Sequence, residues 1–103
     1  MDKILLDYLN HHIIAKYQNL DAAHQKDHVE QVIHDSLKIA REYPVDLDMV
    51  YVIACFHDLG LLVDRKKHHI IGGKMLLDDL VIQSYFNEEN LNIMKEAIED
   101  HRA

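Results

Sequence analysis

One proline and three glycines in a chain of 103 residues leave few points at which the backbone can turn sharply. Those two residue types are the strongest punctuators of local structure. A chain this poor in them is built from long regular elements joined by short connections. The apolar residues indicate which elements. Leu6, Leu9, Ile13 and Tyr17 recur at helical spacing over residues 2–17. Val29, Val32, Ile33, Leu37 and Ala40 make one stripe over residues 25–42, and Tyr43-Pro44 stops it because proline pushes its predecessor out of the α region. Asp46 or Asp48 can cap a third helix that runs to Leu59, with Gly60 placed to end it in a left-handed conformation. Periodicity alone leaves that segment open to a buried strand, since "VYVI" is β-branched and aromatic; its length and flanking signals favour a buried helix. "LVDRKK" reads as a loop. A fourth helix is predicted over residues 68–80. A fifth follows over residues 88–101, with Asn87 as cap and Glu88 and Glu89 where the helix dipole favours negative charge. The expected fold is all-α, a compact bundle of about five helices in a single domain over residues 1–103.

Several classes are excluded early. No apolar run approaches the roughly 18 residues that a membrane span needs, and "MDKILLDYLN" lacks the shape of a signal peptide. Cys55 is the only cysteine, so no intramolecular disulfide can form; its apolar surroundings suggest an inert core thiol, and a cytoplasmic location fits. A net charge of −7 argues against a broad nucleic-acid surface, which needs a basic face.

Nine histidines are the compositional oddity, and their positions sort them. Histidine is the commonest metal ligand and acid–base group. An apolar run from Met49 to Phe56 ends abruptly in His57-Asp58. A carboxylate at such a place is costly unless something pairs with it, and a metal ion is one such partner; an exposed helix end is the plainer reading. His28 borders the stripe of the second helix and can face inward. Leu91, Met94, Ile98 and His101 share one face, so His101 closes the stripe of the last helix. For each of these two taken alone, the plainer reading is a hydrogen-bonded histidine at the edge of a core. His68 and His69 follow Arg65-Lys66-Lys67, a basic run that is either a solvated loop or an edge attracting phosphate, partly offset by Asp64. His34 shares a polar face. His11 and His12 flank the first stripe, and His24 reads as a surface or capping residue.

Taken together, the spaced elements resemble the HD-domain superfamily of metal-dependent phosphohydrolases. "DAAHQKDHVEQVI" is similar to its first motif, with His28 in the metal-binding place. "ACFHDLG" resembles the motif that names the superfamily, with His57 and Asp58 as ligands. "HHIIGGKML" resembles the next, in which a His is followed four residues later by a small residue; by that register His68, with Gly72 after it, is the ligand and His69 the alternative. "EAIEDHR" resembles the fourth and supplies His101. The resemblance implies an all-helical fold and a site built from several helices. It also implies a further Asp on a helix after the fourth motif. The 103 residues end two positions beyond His101, so that helix is missing from them. The expectation is either a fragment of a longer protein or a site with fewer ligands, in which activity is in doubt.

Imidazole and carboxylate together suit a divalent transition metal such as iron, manganese, zinc, cobalt or nickel, as one ion or, if His68 and His101 both join, two. Asp58 is then expected both to ligate and to orient the attacking water. Arg65, Lys66, His69 and Arg102 are candidate contacts to a small phosphorylated substrate such as a nucleotide. A homodimer is the further partner considered. The competing readings are a metal-binding regulatory domain without turnover and a plain helical interaction module.

Overall fold

The apolar stripes fold as helices in the computed structural model, which describes residues 2–20 and 26–100. Among these residues there are six α-helices and no strand: α1 (Lys3–Tyr8), α2 (Lys26–Ala40), α3 (Leu47–Phe56), α4 (His68–Asp78), α5 (Leu80–Tyr85) and α6 (Glu88–Glu99). None of them is long and apolar enough to cross a membrane. Contacts divide the chain into two units, Met1–Cys55 and Phe56–Ala103.

In the first unit the Asp2 carboxylate caps α1, accepting from the backbone N–H groups of Ile4 at 2.9 Å and Leu5 at 3.0 Å. The helix then continues with altered winding, first as a wide π turn over Leu9–Ile13 and then as a tight 3₁₀ stretch over Ile14–Asn19. In an ideal α-helix the neighbours Ile13 and Ile14 would diverge by about 100°. Here the change of winding lets both lie buried with Leu5, Leu9 and Tyr17. The Tyr17 hydroxyl donates to the Cys55 carbonyl at 2.6 Å, tying this segment to the end of α3. In α2 the predicted stripe buries Val29, Ile33, Leu37 and Ala40, while Val32 is half-buried. Asp46 rather than Asp48 caps α3, accepting from the Asp48 N–H at 2.9 Å. Cys55 is a buried free thiol, and burial pushes its pKa well up, so it is inert as expected.

In the second unit α4 packs against α5, α6 and a 3₁₀ turn over Leu59–Leu62. Two sequence expectations are corrected here. The fourth helix stops at Asp78, because Asp79 leaves the α region and its side chain caps a new helix, accepting from Val81 N–H at 2.9 Å and Ile82 N–H at 3.0 Å. This additional helix, α5, raises the count above five. The third helix ends at Phe56 rather than Leu59, and Gly60 is not left-handed. Gly60 is needed for space instead. A Cβ there would run into the His68 carbonyl and lie 2.9 Å from the Gly72 nitrogen. Gly72 in turn lets α4 approach the Phe56 carbonyl, which a Cβ would meet at 2.9 Å. Asn87 caps α6 as predicted, accepting from the Asn90 N–H at 2.8 Å.

Candidate metal centre

His57 and Asp58 leave the end of α3 and enter the 3₁₀ turn, and both are buried, at 4% and 5% exposure. This excludes the reading of an ordinary solvated "HD" pair. His57 Nε2 lies 3.1 Å from Asp58 Oδ2. The other carboxylate oxygen faces the first residue of α4, with His68 Nε2 3.6 Å from Asp58 Oδ1. The glycines explain the approach: with no side chain at Gly60 or Gly72, the backbone of α4 reaches the 3₁₀ turn and the end of α3. His68, one turn before Gly72, is thereby carried to the carboxylate. His69 instead sets its ring edge-on to that of His68, centroids 5.6 Å apart.

The hydrogen bonds of His68 decide what its ring presents. Nδ1 lies 3.0 Å from the Arg65 carbonyl oxygen. A carbonyl only accepts, so Nδ1 carries the proton and donates it. In the neutral ring Nε2 is then a bare lone pair. That atom is buried and has no hydrogen-bond partner, and at 3.6 Å the Asp58 oxygen is too far to bond it. Two electron-rich atoms therefore face each other away from water. A cation placed between them would be attracted to both.

A divalent transition metal fits this donor set. An imidazole whose far nitrogen donates to a backbone carbonyl is the usual form of a metal-binding histidine. Donors that share one ion at about 2.0–2.2 Å lie roughly 3.0–3.5 Å from one another, a spacing met by His57 Nε2 and Asp58 Oδ2 at 3.1 Å.

His28 stands in the first turn of α2, in the first unit, and offers an imidazole nitrogen of the type a metal needs. Arg65, Lys66 and Lys67 are exposed, on the loop leading into α4. Asp64 organises that loop: its Oδ1 accepts from the N–H groups of Lys66 at 2.8 Å and Lys67 at 3.3 Å. Sequence reasoning treated Asp64 as a mere charge offset, although an Asp that bonds backbone two residues on is a recognised turn signal. His11, His12 and His34 are exposed, in keeping with their assignment away from the site. His24, His101 and Arg102 lie outside the described residues.

Comparison with known proteins gives one positive result. The family model described as HD domain matches residues 26–103, a stretch that includes His28, His57, Asp58, His68 and His101. No curated protein and no solved structure matches the chain.

Proposed function

The chain belongs to the HD-domain family, and we propose that it is a metal-dependent phosphohydrolase acting on a nucleotide or other small phosphate ester through an activated water. The observation that carries this reading is the buried His57–Asp58 pair faced by the buried Nε2 of His68, whose hydrogen-bonded tautomer aims a bare lone pair at the carboxylate. His28, His57 and Asp58 each offer a ligand atom of suitable type, and His68 and His101 complete the proposed set.

An ion held by these residues would supply Lewis acidity and bring the pKa of water from 15.7 toward about 7. The protein's side chains do the rest. Asp58 orients the attacking water with a carboxylate oxygen while His57 and His68 hold that carboxylate in place. The Asp58 carboxylate can also take up the proton that the water releases, in a site shielded from bulk solvent. Arg65, Lys66, His69 and Arg102 are the proposed phosphate contacts. Arg65 and Lys66 are exposed, and as cations they would steady charge on the phosphoryl oxygens of a substrate.

The test is metal analysis of the purified protein, followed by assays on a phosphomonoester and a phosphodiester with added Mn²⁺, Fe²⁺, Co²⁺, Ni²⁺ or Zn²⁺. Bound metal with hydrolysis, both lost in Asp58→Ala, is the expected result. Bound metal without hydrolysis under any ion would favour a regulatory metal-binding domain. Metal content unchanged by Asp58→Ala would refute the site itself.

A further inference from the structure

We infer that Asp64 is a positioning residue for His68, holding the peptide group that fixes the tautomer and aim of the His68 ring. The inference rests on the proposed role of His68 as a ligand only where it concerns metal affinity. The link runs through a single peptide plane. The carbonyl that accepts the His68 Nδ1 proton belongs to Arg65. The N–H at the other end of that same peptide group belongs to Lys66, and it donates to Asp64 Oδ1 at 2.8 Å. A peptide group is rigid and planar, with its N–H and C=O pointing in opposite directions. Fixing one end therefore fixes the other.

The anchor is itself anchored. The Asp64 N–H donates to the Gly60 carbonyl at 3.1 Å, and the Lys67 N–H adds a second, longer bond to Asp64 Oδ1 at 3.3 Å. Gly60 lies directly against the His68 backbone. The chain between Asp58 and His68 is thus a closed loop braced by the Asp64 side chain. Without it the Arg65–Lys66 peptide sits in an exposed turn where water can replace the lost acceptor. The peptide is then free to rotate, and His68 Nδ1 loses its fixed partner. The ring would sample the opposite tautomer, which points an N–H rather than a lone pair at Asp58.

Nitrogen-15 NMR of histidine-labelled, metal-free protein at about pH 8, where unperturbed imidazole is neutral, reads the tautomer directly. His68→Gln identifies the resonances. The wild-type protein should show Nδ1 protonated and Nε2 bare. Asp64→Ala should show a mixture, and Asp64→Asn, which keeps an oxygen acceptor, should restore the wild-type pattern. Calorimetric titration with Zn²⁺ alone should show about tenfold weaker binding for Asp64→Ala and near wild-type binding for Asp64→Asn. Circular dichroism checks folding, and Asp64→Ser, with a shorter acceptor, serves if the alanine variant does not fold. An unchanged tautomer in Asp64→Ala overturns the inference. So does an Asp64→Asn variant that behaves like the alanine variant, because charge rather than hydrogen bonding would then be responsible. Failure of the wild-type protein to bind Zn²⁺, with the tautomer still responding to Asp64, would remove the proposed function and leave the positioning role supported.

Discussion

Replacing Gly60 by alanine adds one methyl group, and the structure indicates what that methyl would do. Its backbone is not left-handed, so alanine is conformationally acceptable and the whole effect is spatial. The new Cβ would collide with the His68 carbonyl oxygen and stand 2.7 Å from its carbonyl carbon. Ordinary contact begins at 3.4 Å, so that carbon must retreat by the difference, about 0.7 Å. All three obstructing atoms are backbone atoms of His68 and Gly72, which cannot swing aside as a side-chain end can. Overpacking of this kind costs about 1–3 kcal/mol and occasionally more. The reduced entropy of the unfolded chain offsets about 0.4–1 kcal/mol. A net loss of roughly 1 kcal/mol corresponds to a melting point lower by about 4–8 °C for a domain of this size.

Gly73→Ala is the internal control. Its Cβ would meet Glu99 Cγ at 3.1 Å and Lys95 Cγ at 3.3 Å, and these belong to long side chains that can give way. Alanine also gains nearly 1 kcal/mol over glycine inside a helix. Gly73→Ala should therefore be neutral or stabilising. Gly72→Ala should fall between the two, since its Cβ meets the Phe56 carbonyl oxygen at 2.9 Å and Ile98 Cγ2 at 3.2 Å. Thermal unfolding followed by far-ultraviolet circular dichroism ranks the three. The Gly60 variant should also bind Zn²⁺ more weakly, because the His68 ring moves with its backbone. A Gly60→Ala protein as stable as wild type, or a Gly73→Ala protein as damaged as Gly60→Ala, would refute the close-approach argument.

Other consequences can be checked separately. Tyr17→Phe strands the Cys55 carbonyl without its 2.6 Å donor and should cost about 1–3 kcal/mol in urea unfolding. Asp79→Ala removes the cap of α5, with an expected loss of about 1 kcal/mol; Asp79→Asn should retain most of the stability. Cys55 should resist a thiol reagent such as DTNB in the folded protein and react fully in denaturant, since it is buried and its pKa is raised. Burial also raises the pKa of Tyr51, with a smaller contribution from Cys55. The unfolded chain therefore ionises at this position first, and the stability due to neutral Tyr51 is lost as pH rises above about 10. The slope should be shallower in Tyr51→Phe, as measured by urea midpoints across that range.

Much of this protein is determined by order along the chain. Helical periodicity and short-range caps are local properties, carried by residues within a few positions of one another. The stripe of α2 and the Asn87 cap follow from them without knowledge of the fold. The motif positions that place the chain in its family are legible in the same way. The break at Asp79 inside the predicted helix over residues 68–80 is not legible in sequence, because an Asp on a helix face and an Asp that caps a new helix are the same letter, distinguished only by the backbone angle the fold imposes. Gly60 was misread because a glycine kept for space has no sequence signature that separates it from one kept for a left-handed turn. The choice between His68 and His69 gained its geometry from the same source: periodicity puts both near the start of a helix, but only packing shows which ring reaches Asp58. Which atoms are buried together, and which peptide plane holds which ring, depend on contacts between distant positions, and those exist only once the chain has folded.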